Sequence, residues 1–76
     1  RNSVQVVPSS PTSLSLDDLA LKWQGHGTIT RNPYLARLTL TGGEFELTVF
    51  RDGRAIVRGT QEIAAARALY ARYVGG

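Results

Sequence analysis

Two pairs of carboxylates stand close enough in the chain to act together. Asp17 and Asp18 are adjacent, while Glu44 and Glu46 are two apart, about 7 Å if the backbone between them is extended. Pairs of that kind can divide general-acid and general-base work. Each also has a plainer use. Asp17 and Asp18 follow Ser15, which places them in the first turn of a helix, where negative charge complements the dipole. Glu44 and Glu46 fall on the solvent side of an alternating strand beside a Gly-Gly turn. Both pairs are therefore read as solvated structural charges. The single histidine, His26, lies between two glycines without a cysteine or an acidic neighbour, and reads as a loop residue and not a ligand. Phe45, Tyr70 and Tyr73 recur at core spacing. The chain has no cysteine, no Gly-x-Gly-x-x-Gly and no phosphate-cradling loop ending in Gly-Lys-Ser/Thr. The expectation is no catalytic, cofactor-binding or metal residue in this chain.

The basic residues are the second chemical set. Eight of the nine are arginine, and the net charge is +3 with an isoelectric point near 10.0. That surplus favours anionic neighbours only weakly. Arg31, Arg37, Arg51, Arg54, Arg58, Arg67 and Arg72 are scattered over several elements, whereas a dedicated nucleic-acid binder clusters its cations on one. Strand parity puts Leu35, Phe50 and Ile56 on one sheet face with Arg37, Arg54 and Arg58, opposite the face that helices would cover. Arginine mixed with large apolar side chains suits a contact surface, although isolated exposed apolar residues are ordinary. These six form the candidate interface.

The elements that position them can be read along the chain. Ser3 to Val7 is a short strand, with Val4 and Val6 on one face, stopped by Pro8. Residues 8–13 carry two prolines and read as a linker. Ser15 is an N-cap, Leu14 and Leu19 form a hydrophobic staple, and Leu16, Leu19, Ala20 and Trp23 make one buried stripe. Gly25-His26-Gly27 ends that helix. Four antiparallel strands follow. Thr28 to Thr30 turns at Arg31-Asn32-Pro33 into Tyr34 to Thr41, with Tyr34, Ala36, Leu38 and Leu40 on one face. Gly42-Gly43 turns into Glu44 to Phe50, where Phe45, Leu47 and Val49 point inward and Glu44, Glu46 and Thr48 outward. Asp52-Gly53 predicts a two-residue type I′ turn into Arg54 to Arg58, with Ala55 and Val57 inward. Gly59-Thr60 breaks the sheet, and Thr60 is placed to cap a closing helix with Ile63, Ala66, Leu69, Tyr70 and Tyr73 on one side. Gly75 fits its left-handed end. The order β-α-β-β-β-β-α predicts an α+β fold, an antiparallel sheet with both helices on one face.

Length limits what this layout can hold. Seventy-six residues make one domain, burying ~60–65% of the unfolded surface, with room for a two-layer core and little for an enclosed cleft. The composition, 42% hydrophobic and 20% charged, is that of a soluble globular domain. No apolar run reaches the ~18–20 residues of a membrane span, and the N-terminus has no signal-peptide pattern. There is no methionine, even at position 1. The chain is thus either a processed product or, as expected here, a single accessory domain, residues 1–76, cut from a longer protein.

A family resemblance emerges from the segments Asn32-Pro33-Tyr34-Leu35, Phe45-Glu46-Leu47-Thr48-Val49-Phe50, Asp52-Gly53-Arg54-Ala55-Ile56-Val57, Gly59-Thr60 and Ala66 to Gly75. Together they resemble the C-terminal extension of bacterial ThiF/MoeB/HesA-type adenylyltransferases, relatives of the ubiquitin-activating enzymes. Arg1 to Val6 resembles the strand that follows the last metal-binding Cys-x-x-Cys there. The resemblance implies a cytoplasmic parent that uses ATP and magnesium to adenylate a sulfur carrier for thiamine or molybdopterin biosynthesis, with zinc bound upstream. It transfers no catalytic, nucleotide or metal residue to this chain. The implied partners are the parent adenylation domain and the carrier, with homodimer contacts a further role and no membrane partner. The chain departs from the family pattern at Arg51, where proline is common, and at Gln61-Glu62, where paired acids are common. The element order also resembles half of the TATA-binding-protein fold, an analogy of fold alone. Two other readings stand beside this one. One is a free-standing protein- or nucleic-acid-binding module using the open sheet face. The other is a ubiquitin-like carrier ending in Gly75-Gly76, against which the closing helix argues.

Overall fold

Local chemistry starts the first helix where its residue types predict. The Ser15 backbone is extended, and its Oγ accepts the Asp18 amide at 3.2 Å. The computed structural model describes residues 2–10 and 12–75, so Arg1, Pro11 of the linker and Gly76 of the Gly-Gly pair lie outside the described residues. Seven elements follow in chain order: β1 (Ser3–Val6), α1 (Leu16–Lys22), β2 (Gly27–Arg31), β3 (Leu35–Leu40), β4 (Glu46–Phe50), β5 (Ala55–Arg58) and α2 (Ile63–Tyr73). The fold is α+β. Laterally the strands run β1-β5-β4-β3-β2, every pair antiparallel. Strands β2 to β5 are thus a meander of hairpins, and the N-terminal strand closes the sheet beside β5.

The alternation along each strand selects the covered face. Ala36, Leu38, Leu47, Val49, Ala55 and Val57 are fully buried on it. Helix α1 packs over β2 and β3, and α2 over β1 and β5. Trp23, also fully buried, ends α1, and its indole N–H donates to the Tyr73 carbonyl at 2.8 Å, joining the C-terminal ends of the two helices. Among the described residues no buried side-chain nitrogen or oxygen lacks a partner. A core without orphaned polar atoms avoids penalties of about 1–3 kcal/mol each.

Several local expectations change. Among the described residues none other than glycine has positive φ, so Asp52 does not take the first position of a type I′ turn. Instead the Gly53 amide reaches the Phe50 carbonyl at 3.0 Å, and Phe50 N–H donates to the Arg54 carbonyl at 2.8 Å. The loop is Arg51-Asp52-Gly53, a type I turn closed by Gly53 at φ 94°, the usual three-residue hairpin solution. Tyr34 precedes β3 and is 72% exposed, because the Asn32 side chain accepts both the Tyr34 and Leu35 amides and holds the turn off the sheet. Ile63 opens α2 and is 63% exposed; the buried stripe begins one turn later at Ala66. Thr60 accepts the Glu62 amide at 3.0 Å, bracing the approach to the helix, but the N-cap is Glu62, which makes no side-chain cap bond. Gly59, at φ 109°, has no room for a side chain, since a Cβ would sit 2.1 Å from the Glu44 carbonyl oxygen.

Candidate functional site

The face of the sheet away from the helices is ordered by strand register. Leu35 lies opposite Phe50. In the next row Thr30, Arg37, Thr48, Ile56 and Gln5 run side by side across all five strands. The row beyond contains Thr28, Thr39, Glu46, Arg58 and Ser3. Leu35, Arg37, Phe50, Ile56 and Arg58 therefore share one surface, and Arg54 joins it by stacking its guanidinium over the Phe50 ring at 5.5 Å. The three apolar members are half-buried and the three arginines exposed.

Polar contacts fix most of the charges on this surface. Arg58 meets the Glu46 carboxylate at 3.4 Å, and Thr39 donates to the same carboxylate at 3.4 Å. Arg54 Nε donates to Asp52 at 2.8 Å, and its backbone N–H to the other Asp52 oxygen at 3.1 Å. Those bonds from Arg54, the backbone amide foremost, hold the Asp52 carboxyl below its ordinary range. Arg37 has a different environment: its Nε donates to the Thr48 hydroxyl at 3.2 Å, and among the described residues no carboxylate pairs with it. Thr48 is only 7% exposed although it points to the open side, because flanking side chains cover it. Ion pairs at the surface, such as Arg58–Glu46, are worth about 0–1 kcal/mol.

Strand parity thus places Leu35, Arg37, Phe50, Ile56 and Arg58 on one face, Arg54, which precedes β5, joins them through Phe50, and Gln5, Thr39, Glu46 and Thr48 complete the surface. Gln5 was signalled by the alternation of Val4 and Val6. The Arg58–Glu46 pairing was not, because it depends on lateral register.

The remaining singled-out residues do not gather into a second site. Asp17 pairs with Arg31 on the helix side of the sheet. Glu44 belongs to the turn after β3, not to β4, so the expected Glu44–Glu46 face is not formed. His26 lies in a loop and packs edge-on against Tyr73, with ring centroids 5.5 Å apart. Tyr70 donates to the Gly53 carbonyl at 2.7 Å, tying α2 to the β4–β5 hairpin. Burial, aided by the Asp52 charge, raises the Tyr70 pKa above its ordinary value. Among the described residues no three His, Cys, Asp or Glu side chains cluster to hold a metal, and no helix is long and apolar enough to cross a membrane.

Comparison with known proteins adds the kinship. The chain is 34% identical over 76 residues to a sulfur carrier protein ThiS adenylyltransferase of Bacillus subtilis (strain 168). That similarity is consistent with a segment of a ThiF/MoeB-type adenylyltransferase. The match takes in 99% of this chain but only 22% of the relative's length, so the kinship is with one segment of such an enzyme. No protein-family model matches the chain, and no solved structure matches it significantly. Arg51 and Gln61-Glu62, the departures from the family pattern, fall in a hairpin loop and just ahead of α2, away from the open face.

Proposed function

We propose that this chain serves as a non-catalytic, C-terminal accessory domain of an ATP-dependent adenylyltransferase that activates a ubiquitin-like sulfur carrier. Its task is docking: it holds the carrier or the adenylation domain through the open sheet face, while the chemistry with ATP and magnesium takes place elsewhere in the enzyme. The supporting observation is the pairing of end-to-end kinship with an adenylyltransferase segment and a sheet whose second face carries half-buried apolar residues among arginines. A nucleic-acid role has one observation in its favour, the three arginines on that face. The carrier reading is weakened by the last element: α2 runs to Tyr73, and the Gly75 amide bonds the Tyr70 carbonyl at 3.0 Å, so the chain stays hydrogen-bonded to the helix end as far as Gly75. Two calorimetric titrations of the chain test the proposal. Magnesium-ATP should give no binding heat, whereas the sulfur carrier or the adenylation domain should bind. Micromolar, magnesium-dependent ATP binding would overturn the non-catalytic assignment.

A further inference from the structure

Building on the docking role proposed above, we infer that the open face takes an acidic protein surface with an apolar centre, engaged transiently, and that Arg37 is its principal electrostatic contact. Charge identifies the partner's chemistry. Arg54 and Arg58 already have carboxylates on this chain. Arg37 lies between them in the middle row with only the Thr48 hydroxyl as acceptor. A guanidinium held by a single Nε bond has its remaining N–H donors free for a bidentate carboxylate. Beside it, Leu35 and Phe50 face each other, with Ile56 on β5 in the adjacent row, the row of Arg37 itself. The expected complement is a small apolar patch flanked by aspartate or glutamate.

The same features separate this partner from its rivals. Asp52 and Glu46 neutralise Arg54 and Arg58, which leaves one unpaired arginine on a face where a phosphate backbone needs cations in series. A second copy of the chain, docked face to face, would offer Arg37 only a face whose carboxylates, Glu46 and Asp52, are already paired. Area also matters. Five strands ~4.8 Å apart and about five residues long span roughly 20 by 17 Å, near 350 Å². A stable interface uses about 800 Å² per partner. The face alone therefore supports a transient encounter, as suits a carrier that must leave after activation.

The test is a nuclear magnetic resonance titration of the isotope-labelled chain with the purified sulfur carrier, repeated with Arg37→Glu and Phe50→Ser and at low and high salt. The expected result is fast-exchange shifts at Leu35, Arg37, Phe50 and Ile56, an affinity reduced roughly ten-fold by either substitution, and weakening by salt of the wild type more than of Arg37→Glu. Carrier binding that maps to the helical layer, or that Arg37→Glu leaves unchanged, overturns the assignment of this face while leaving the recruitment role intact. Failure of the carrier to bind the chain overturns the recruitment role itself. A duplex DNA of about 20 base pairs is the counter-probe: shifts of the same residues with DNA and none with the carrier would overturn the protein partner in favour of nucleic acid.

Discussion

Leu47 and Phe50 are three positions apart on β4 and point to opposite faces of the sheet, so the same kind of change has different meanings at each. Leu47 is fully buried under the helices, and Leu47→Ala should cost roughly 2–5 kcal/mol as a core cavity. Phe50 is half-buried, with Leu35 opposite and Arg54 over its ring, and Ile56 is half-buried beside Thr48. Phe50→Ser and Ile56→Ser should each cost about 1 kcal/mol or less in stability while weakening association with the partner. Urea unfolding of the three variants makes the comparison. If either serine variant unfolds as easily as Leu47→Ala, the open face is part of the core and not a contact surface.

At the scale of elements, the hairpins are held by more than their own turns. Tyr70 reaches from α2 to the Gly53 carbonyl and so couples the last helix to the β4–β5 loop. Tyr70→Phe should lose about 0.5–1.5 kcal/mol with that hydrogen bond. The effect has a pH signature. Because the folded-state pKa of Tyr70 is raised, the folded chain keeps its proton where the unfolded chain has lost it. Its contribution is complete below the unfolded value of about 10 and is lost as pH rises through the folded value. Unfolding midpoints at about pH 8 and about pH 10.5 should therefore converge between wild type and Tyr70→Phe at the alkaline end. A difference that widens with pH would contradict this coupling.

Much of this level was legible in the sequence. The alternation from Glu46 to Phe50, the capping by Ser15 and the parity that puts Arg37, Arg58 and Ile56 together are local patterns, and they hold. The misses come from longer-range causes. Asp52-Gly53 resembles a two-residue turn until the Phe50–Arg54 pairing shows that Arg51 belongs to the loop. Ile63 continues the apolar spacing of α2, yet the buried stripe starts only at Ala66. Thr48 has the right parity for exposure but is covered by neighbours from two other strands. The charge pattern of the candidate site was hidden for the same reason. Which arginine remains without a carboxylate depends on register, and register is not a local property.

For the whole molecule, one core and one open face are what 76 residues provide. Cα atoms with a radius of gyration of 11.2 Å form two layers, a sheet and the two helices on one of its faces, and the other face is left uncovered by them. On the function proposed above, the domain contributes binding and not chemistry to carrier activation. The most direct measurement is the steady-state kinetics of carrier-dependent pyrophosphate release by the adenylyltransferase bearing this domain, with and without Phe50→Ser and Ile56→Ser combined. The expected result is a KM for the carrier raised several-fold, with kcat at saturating carrier and the KM for ATP unchanged, the signature of lost uniform binding. A fall in kcat or a rise in the KM for ATP, with the carrier's KM unaffected, would contradict the claim.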